Sequence, residues 1–264
     1  MKKQHLFVSD IHLGAFDKSG NNALEKDVIS LIEYCTQNHI QLYLLGDLFD
    51  YWMEYRNHHP EFGNKLLEHF QSYMSAIGSI LYITGNHDNW TRGYFTNLGF
   101  DVEAEYRVLD INSQSIIVLH GDGLKNKNMN LPRPWLHRLL RNKTFINLYQ
   151  FMLPPGFGLK LMKRFSDYCR KRPVPGTGRL DGWASEYLSK NEIDFVICGH
   201  DHIPRHETYP GGSYINCGAF YQYRTAVKYT NGDFQLVTWD GKSKRLAPFT
   251  AQSKLIRNEQ IFGT

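Results

Sequence analysis

Short apolar runs alternate along the chain with longer segments whose apolar residues recur every three or four positions. Segments 22–38 and 61–78 follow the second pattern, which predicts amphipathic helices. The short runs are apolar at nearly every position, which is typical of strands covered on both faces of a parallel sheet. These runs are residues 5–8, 42–45, 80–83, 116–119 and 195–198. Together with a further helix predicted at 181–190, the pattern indicates an α/β fold.

The remaining segments alternate between apolar and polar residues, which predicts antiparallel strands. Residues 102–111 are interpreted as a hairpin region, and residues 214–217, 221–229 and 234–239 as strands of the C-terminal part. Asn231-Gly232 between the last two strands is a strong signal for a tight hairpin turn. Beyond about residue 242 the sequence predicts no element.

Length and composition place the chain among single-domain globular proteins. Its 264 residues fit one α/β domain, 1–264, with an insertion. No run of about 18 apolar residues is present, and the short apolar run after Lys2 and Lys3 is not a signal peptide. The cysteines are scattered and form no CxxC pair, so they predict neither a disulfide framework nor a thiolate zinc site. We therefore expect a cytoplasmic protein, which could also be peripheral on the inner membrane.

Five of the predicted strands end in side chains that can bind a metal. In an open α/β sheet, ligands bind in the crevice beyond the carboxyl ends of the strands, so these side chains are expected to converge. They offer carboxylate, imidazole and amide donors without thiolate, which suits Mn, Fe or Zn. The donors are Asp10, His12, Asp47, Asn86, His120, His200 and His202.

Seven donors are too many for one transition metal, so the sequence predicts two divalent metals that share one carboxylate. Two such ions can clamp the attacking and departing oxygens of a hydrolysis reaction and acidify a water molecule. Each motif alone has a purely structural explanation: Asp47 could form an Asx turn, and His120 could be a core histidine. Their joint occurrence at strand ends favours the dinuclear site.

The same motifs resemble the signature of calcineurin-like metallophosphoesterases. The resemblance covers about residues 1–240 and implies a four-layer α/β/β/α sandwich of two mixed sheets, with two metals at the sheet ends. The motifs that carry it are Asp10-x-His12, Gly46-Asp47, Gly85-Asn86-His87-Asp88, His120-Gly121-Asp122 and Gly199-His200-x-His202.

The resemblance implies a role for each site residue. The first metal is expected on Asp10, His12, Asp47 and His202, and the second on Asp47, Asn86, His120 and His200. Asp47 would then bridge the two. His87 is expected to contact the phosphoryl group or protonate the leaving oxygen, and Asp88 to orient His87.

Within the superfamily the chain is most similar to the UDP-2,3-diacylglucosamine diphosphatases of lipid A biosynthesis. Segments 7–14, 46–52 and 120–124 carry this resemblance. It implies cleavage of the pyrophosphate of the nucleotide-lipid to UMP and 2,3-diacylglucosamine 1-phosphate, usually with manganese. The chain represents a divergent branch, because it has His87 where the well-studied branch has Arg, and Lys127 and Asn128 where that branch has an acidic pair.

An insertion at residues 124–179, called the cap below, holds 13 of the 30 basic residues and one of the 26 acidic residues. Residues 135–153 and 158–172 are predicted to form two amphipathic helices joined by Pro154-Pro155-Gly156, a helical hairpin. Candidate substrate contacts are Asn86, His87, Arg141, Lys163 and Arg164.

The cap has four interpretations. It could lie on an anionic bilayer, or roof the site with apolar faces around acyl chains and basic residues near phosphates. It could also simply pack on the body with a solvated basic face. Nucleic acid is the least favoured partner, because no base-stacking platform is recognisable.

The leading functional hypothesis is the metal-dependent pyrophosphatase that the resemblance implies. The alternative is a phosphomonoesterase or phosphodiesterase on another anionic substrate, in which a proton from His87 would assist an alkoxide leaving group. A non-catalytic scaffold at a membrane surface is the remote alternative.

Overall fold

Two mixed β-sheets pack face to face in the computed structural model, which describes residues 3–170 and 178–250. In the larger sheet the first strand pairs in parallel with the second, the second with the third and the third with the fourth, and the C-terminal strands add antiparallel pairs. Its strands, in spatial order, are Arg245–Pro248 (β12), Asp233–Asp240 (β11), Thr225–Thr230 (β10), Gln4–Val8 (β1), Ile40–Leu45 (β2), Leu81–Ile83 (β3) and Asp101–Glu103 (β4).

The smaller sheet has parallel pairs at its centre and an antiparallel pair at each edge. Its spatial order is Tyr106–Ile111 (β5), Gln114–Leu119 (β6), Phe195–Cys198 (β7), Gly212–Asn216 (β9) and Arg205–Tyr209 (β8). The carboxyl ends of β1, β2 and β3 in one sheet and of β6 and β7 in the other therefore point toward the same region.

Helices cover the outer faces of both sheets and form the cap. Among the described residues, none of the helices combines the length and the apolar character that crossing a bilayer requires. The helices are Lys18–Gln37 (α1), Asn64–Ile77 (α2), Tyr94–Asn97 (α3), Trp135–Leu140 (α4), Lys143–Met152 (α5), Pro155–Arg170 (α6), Gly178–Lys190 (α7) and Phe220–Tyr223 (α8), with a 3₁₀ turn at Lys127–Met129.

Three apolar layers hold these elements together. Leu24 and Ile32 of α1 pack on the outer face of the large sheet, and Trp183 of α7 packs on the outer face of the small sheet. Between the sheets, Phe7 and Ile197 belong to one buried cluster to which both sheets contribute. The expected four-layer α/β/β/α sandwich is therefore confirmed, and strands buried on both faces explain the uninterrupted apolar runs.

The hairpin expected at residues 102–111 was wrong. β4 pairs with β3 in the large sheet, whereas β5 pairs with β6 in the small sheet. The chain crosses between the sheets at Ala104 and Glu105, so two strands adjacent in sequence lie in different layers. The real hairpin joins β5 to β6 through Asn112 and Ser113, both with positive φ. Local alternation predicts a strand correctly but does not identify its partner.

The C-terminal part differs from the prediction in three places. The predicted strand 221–229 begins with the short helix α8, whose Phe220 and Tyr223 are buried. Arg224 then takes a left-handed conformation, and the strand starts at Thr225. The sequence also missed the edge strands β8 and β12. The turn at Asn231-Gly232 is confirmed, because both residues have positive φ and join β10 to β11.

Within residues 124–170 the cap contains three α-helices where two were predicted. α4 stops at Leu140 because Asn142 accepts a hydrogen bond from the Phe145 backbone and so begins α5. α5 and α6 form the expected helical hairpin, and α6 begins at Pro155, where a proline suits the first turn. The predicted helix end at Arg172 lies outside the described residues, as do the side chains of Cys169 and Arg170.

Candidate metal centre

All seven predicted ligands lie in the loops that follow five strands, three in the large sheet and two in the small sheet. Five of these residues hold a left-handed backbone, which non-glycine residues seldom adopt and which costs roughly 1–3 kcal/mol each. The surrounding fold must compensate this cost, and the conformation turns each side chain back toward the gap between the sheet ends. The five φ values are 53° for Asp10, 51° for His12, 52° for Asp47, 73° for His200 and 64° for His202.

Glycines beside the ligands are required by close packing. A Cβ atom on Gly85 would overlap the Asp47 carboxylate, and one on Gly199 would overlap Ser9 and the Asp10 carboxylate. The glycines of the Gly85-Asn86 and Gly199-His200 motifs thus leave room for the ligands of a neighbouring strand.

One cluster of donors gathers around Asp10. Its Oδ1 atom lies 3.2 Å from His202 Nε2 and 3.7 Å from His12 Nε2. His12 Nε2 in turn lies 3.5 Å from Asp47 Oδ2. These four residues are the set expected for the first metal.

A second cluster adjoins the first through Asp47. Asp47 Oδ2 lies 3.3 Å from His120 Nε2. Asn86 Oδ1 lies 3.1 Å from His120 Nε2 and 3.0 Å from His200 Nδ1. Because the same Asp47 oxygen faces both His12 and His120, it is placed to bridge the two clusters.

The donors fit divalent metals. Asp10 Oδ1 and His12 Nε2 are buried, yet neither has a hydrogen-bond partner, so both atoms lack the compensation that burial requires. Nitrogen and oxygen ligands bound at about 2.0–2.2 Å from one ion lie roughly 3–3.5 Å from each other. The donor atoms here lie between 3.0 and 3.7 Å apart, close to that range. Three overlapping groups of residues could hold an ion: Asp10 with His12 and His202, His12 with Asp47 and His87, and Asp10 with Asp47 and His120.

The electrostatic field of the site favours cations. Burial lowers the pKa of an imidazole, but the nearby carboxylates of Asp10, Asp50 and Asp47 outweigh it and raise the pKa of His12 to about 10. At His120 burial also lowers the pKa, but the nearby Asp47 carboxylate outweighs it and raises the pKa to about 10. For His200, burial and the neighbouring His120 lower the pKa to about 3. The negative potential that attracts protons to His12 and His120 also attracts divalent ions.

Three ligand histidines are oriented by partners of their second ring nitrogen. His12 Nδ1 lies 3.3 Å from Asp50 Oδ1, and His120 Nδ1 lies 2.9 Å from the carbonyl oxygen of Leu45. His202 Nδ1 lies 3.3 Å from the hydroxyl of Tyr221. Such partners fix the ring and its tautomer. Sequence reasoning assigned no role to Asp50, although it lies within the segment that follows Gly46-Asp47.

His87 is partly buried between the candidate metal ligands and the cap. Its Nδ1 lies 2.7 Å from the carbonyl oxygen of Asp50 and 3.1 Å from Ser166 Oγ on α6. Its ring meets that of His12 edge-on, with centroids 4.8 Å apart. Burial lowers its pKa, while the nearby Asp47 opposes that shift. The sequence contained no signal for Ser166, because it is 79 residues away from His87.

Asp88 has a different position from the one expected. Its carboxylate accepts hydrogen bonds from the backbone of Gly85 and Leu48 at 2.7 Å and from the Tyr82 hydroxyl at 2.5 Å. Burial, with the charge of Asp47, raises its pKa to about 6. Asp88 therefore fixes the Gly85 turn against the Asp47 turn, and it is Asp50 and Ser166 that hold the His87 imidazole.

The basic residues expected to contact substrate lie around the cleft in different ways. Arg141 binds Asp122 through Nε at 3.1 Å and donates to the carbonyl oxygens of Thr84 and Gly85 at 3.0 and 2.8 Å. Arg141 therefore stabilises the Gly85 turn through hydrogen bonds to its backbone. Lys163 and Arg164 are exposed on α6, and the Lys163 ammonium lies 5.9 Å from the centre of the Tyr51 ring.

An apolar cleft opens beside the metal ligands. Asn86, His87 and Trp90 contribute to its lining, together with the cap residues Leu136, Leu140 and Phe165. A cluster of candidate metal ligands thus adjoins a surface suited to hydrocarbon. This juxtaposition arises because α4 and α6 lie over the loop that carries Asn86 and His87.

Comparisons with known proteins find relatives in sequence and in structure. A protein named UDP-2,3-diacylglucosamine hydrolase from Porphyromonas gingivalis is 27% identical over 222 residues, covering 77% of this chain and 84% of that protein. One of the same name from Wigglesworthia glossinidia brevipalpis is 28% identical and covers 79% of this chain and 83% of that protein. Among solved structures, the E. coli phosphoesterase Yfce gives a TM-score of 0.47 at 16% identity, over 94% of this chain and 98% of that chain.

The family model described as calcineurin-like phosphoesterase matches residues 5–204. That span contains all seven candidate ligands and the described part of the cap. The sequence motifs, the ligand geometry and the family match all indicate a metal-dependent hydrolase, and the chain belongs to the calcineurin-like phosphoesterase family.

Proposed function

We propose that this protein hydrolyses the pyrophosphate bond of UDP-2,3-diacylglucosamine, or of a close lipid-linked analogue, to UMP and the lipid 1-phosphate. The observation that carries the proposal is the apolar cleft that begins at Asn86 and His87 and continues along α4 and α6 of the cap. A substrate with a charged pyrophosphate and two acyl chains needs both environments within a few ångströms of each other. The names of the relatives from Porphyromonas gingivalis and Wigglesworthia glossinidia brevipalpis support this assignment.

Two divalent ions fit the donor set, with manganese favoured and iron or zinc as alternatives. Asp10, His12, Asp47 and His202 would hold the first, and Asp47, Asn86, His120 and His200 the second. When bound, such ions acidify a water molecule and neutralise phosphoryl oxygens. Asp47 would link the two sets of ligands. Its Oδ1 accepts a hydrogen bond from the His87 backbone, and its Oδ2 faces both sets.

His87 is proposed to contact the phosphoryl group that reacts. The carbonyl oxygen of Asp50 can only accept a hydrogen bond, so Nδ1 of His87 carries a proton. The other ring nitrogen is then the one available to a substrate oxygen. As an imidazolium it would donate to a phosphoryl or leaving oxygen, and as a neutral ring it would accept a hydrogen bond.

The test supplies purified protein and Mn²⁺ with UDP-2,3-diacylglucosamine, and measures UMP and the lipid 1-phosphate. The proposal expects both products in equal amounts, and their loss in an Asp47→Ala variant. No UMP release over the full range of Mn²⁺, Fe²⁺ and Zn²⁺ concentrations would refute the assignment.

A second candidate is a phosphodiesterase or phosphomonoesterase on another anionic substrate. The observation that favours it is the histidine at position 87, held in place at the reaction centre, because an alkoxide leaving group needs a proton more than a phosphate does. Turnover of a simple alkyl phosphodiester faster than of the nucleotide-lipid would favour this candidate.

We also propose peripheral binding of the cap to an anionic membrane. The end of α5 and the first turn of α6 expose large apolar side chains: Phe151 is 88% exposed, Met152 66% and Phe157 59%. Basic residues of α6, including Lys160, Lys163 and Arg164, are exposed on the same helical hairpin. Apolar side chains and basic residues on one surface are typical of proteins that lie on bilayers.

Co-sedimentation with phosphatidylglycerol vesicles tests the membrane proposal. Binding should weaken with salt and should fall in a Phe151→Ser/Phe157→Ser variant and in a Lys160→Gln/Lys163→Gln/Arg164→Gln variant. Unchanged sedimentation of both variants would contradict it.

A further inference from the structure

α4 separates two different cavities. Leu136, His137 and Leu140 line the apolar cleft beside the metal ligands, whereas Arg138 and Arg141 line a second cavity on another side of the helix. The second cavity has a volume of about 510 Å³, enough for a small ligand. Its basic lining residues are Lys125, Lys127, Arg133, Arg138, Arg141 and Lys143.

The innermost of these basic residues are already neutralised. Arg133 lies 3.0 Å from Glu105 and 3.2 Å from Asp122, and Arg141 lies 3.1 Å from Asp122. Two guanidinium groups and two carboxylates therefore form a balanced network, and Arg133 is buried within it. This network forms the floor of the second cavity and contributes little net charge.

The outer four basic residues are different. Lys125, Lys127, Arg138 and Lys143 are all exposed, and within residues 3–170 and 178–250 no carboxylate forms an ion pair with any of them. The cavity mouth therefore carries four uncompensated positive charges. Like charges placed together around a concave surface repel one another and raise the local concentration of anions.

We propose that this cavity is a binding site for a phosphate group, separate from the phosphoryl group that is hydrolysed. Lysine ammonium groups and an arginine guanidinium are the side chains that bind phosphate oxygens with charge-assisted hydrogen bonds. The proposal rests on the charges and shape of the cavity, and it holds whatever the substrate of the metal centre is.

The source of the phosphate is either the headgroup of an anionic phospholipid or a soluble phosphate compound. Two exposed apolar residues favour the phospholipid. Trp135, which is 69% exposed, lies three residues before Arg138 on α4. Leu139, which is 38% exposed, follows Arg138 directly. An aromatic ring beside a basic residue is a common arrangement at a membrane interface, where the ring sits at headgroup level.

The experiment measures binding of short-chain, water-soluble phosphatidylglycerol and of glycerol 3-phosphate to the metal-loaded protein by calorimetry. The pocket variant is Lys125→Gln/Lys127→Gln/Arg138→Gln/Lys143→Gln, in which every changed side chain is exposed. It should bind the preferred ligand at least about tenfold more weakly, because each basic residue near a phosphate contributes to affinity. Its hydrolysis of an aryl phosphodiester should be unchanged.

A charge-matched control replaces four exposed lysines on α1, α2 and α7: Lys18, Lys26, Lys65 and Lys190. This control should bind like the wild type. Stronger binding of phosphatidylglycerol than of glycerol 3-phosphate identifies a lipid headgroup, and equal binding identifies a soluble phosphate. Equal losses in the pocket variant and the control, or no loss in the pocket variant, would overturn the proposal.

Discussion

Ser166 and His87 meet at the carbonyl oxygen of Asp50. Ser166 Oγ donates to that oxygen at 2.9 Å and lies 3.1 Å from His87 Nδ1, which itself lies 2.7 Å from the same oxygen. Ser166 belongs to α6 of the cap, whereas His87 belongs to the turn after β3. The cap therefore takes part in orienting His87, the residue proposed to contact the reacting phosphoryl group.

Replacing Ser166 with alanine should lower kcat about 10- to 100-fold, the usual effect of removing a partner that orients a group at the site. Bound metal should be unchanged, because Ser166 contacts none of the seven ligands directly. The measurement is steady-state kinetics beside metal analysis. Ser166→Thr, which keeps the hydroxyl, should recover part of the rate; a fall in metal content with Ser166→Ala would contradict a positioning role.

Replacing Asp47 with alanine should remove most of the bound divalent metal. Its Oδ2 atom faces both His12 and His120, so both donor sets lose a ligand. Activity should fall by at least about 10²-fold, the scale on which loss of one electrostatic group at a reaction centre acts. Elemental analysis and turnover are the measurements. Asp233→Asn, at an exposed strand end, is the control, and retention of two ions by Asp47→Ala would disprove the bridge.

Replacing Gly85 with alanine should destabilise the protein by about 1–3 kcal/mol, because the new methyl group would overlap the Asp47 carboxylate. The free energy of unfolding in urea measures the effect. Gly182→Ala is the matched control, since its Cβ on α7 would meet open space and alanine favours a helix. Equal stability changes for the two variants would show that the packing argument at Gly85 is wrong.

Replacing His87 with arginine should separate the two candidate substrates. Arginine can contact a phosphoryl oxygen but cannot release a proton, so alkyl phosphodiester hydrolysis should fall about 10²-fold or more while pyrophosphate hydrolysis changes less. The measurement is the rate of each variant on both substrates, with His87→Gln as the neutral comparison. Equal responses of the two activities would remove the argument for His87 as a proton donor.

Stability should decrease in acid partly because of His5, which is far from the metal ligands. Burial, and to a smaller extent Lys3, lowers the pKa of His5 to about 4. As the pH falls from 6.5 to 4, His5 binds a proton in the unfolded chain but not in the folded chain. The free energy of unfolding therefore falls by about 1–3 kcal/mol and then levels off.

The His5→Gln variant should show a shallower loss of stability over that pH range. Urea unfolding of both proteins at pH 7 and pH 4.5 gives the comparison, and His206→Gln on the exposed edge strand β8 controls for deletion of a histidine. An identical pH dependence in wild type and His5→Gln would contradict the prediction.

The strand-end ligands were predictable because each signal is local. A buried parallel strand is apolar throughout, and the first polar residues after it mark its carboxyl end, as at Asp47 after Leu45 and at Asn86 after Ile83. Since strands joined by helices run parallel, their ends meet, and the residue types then define the chemistry. The structure brings these side chains together at the sheet ends, whereas their division into two sets that share Asp47 was implied by the family resemblance.

The position of 102–111 could not be predicted in the same way. β4 and β5 are each recognisable as strands, but alternation along a strand does not specify the sheet to which it belongs. The break of the cap helix at Arg141 was also missed, because it depends on the Arg141 side chain binding Asp122 and on the Asn142 cap.

The sequence by itself determined the fold class, the candidate metal ligands and the family, because periodicity and short motifs act over a few residues. The tertiary structure decided which groups hold those ligands in place. Ser166 reaches Asp50 across 116 residues, Tyr221 reaches His202, and Asp88 binds the Gly85 turn while the His87 ring depends on the cap. Such contacts have no period and no fixed spacing, since they arise only when separate layers pack. The same holds for the four positive charges around the second cavity, whose residues come together only because α4 packs over the loop after β6.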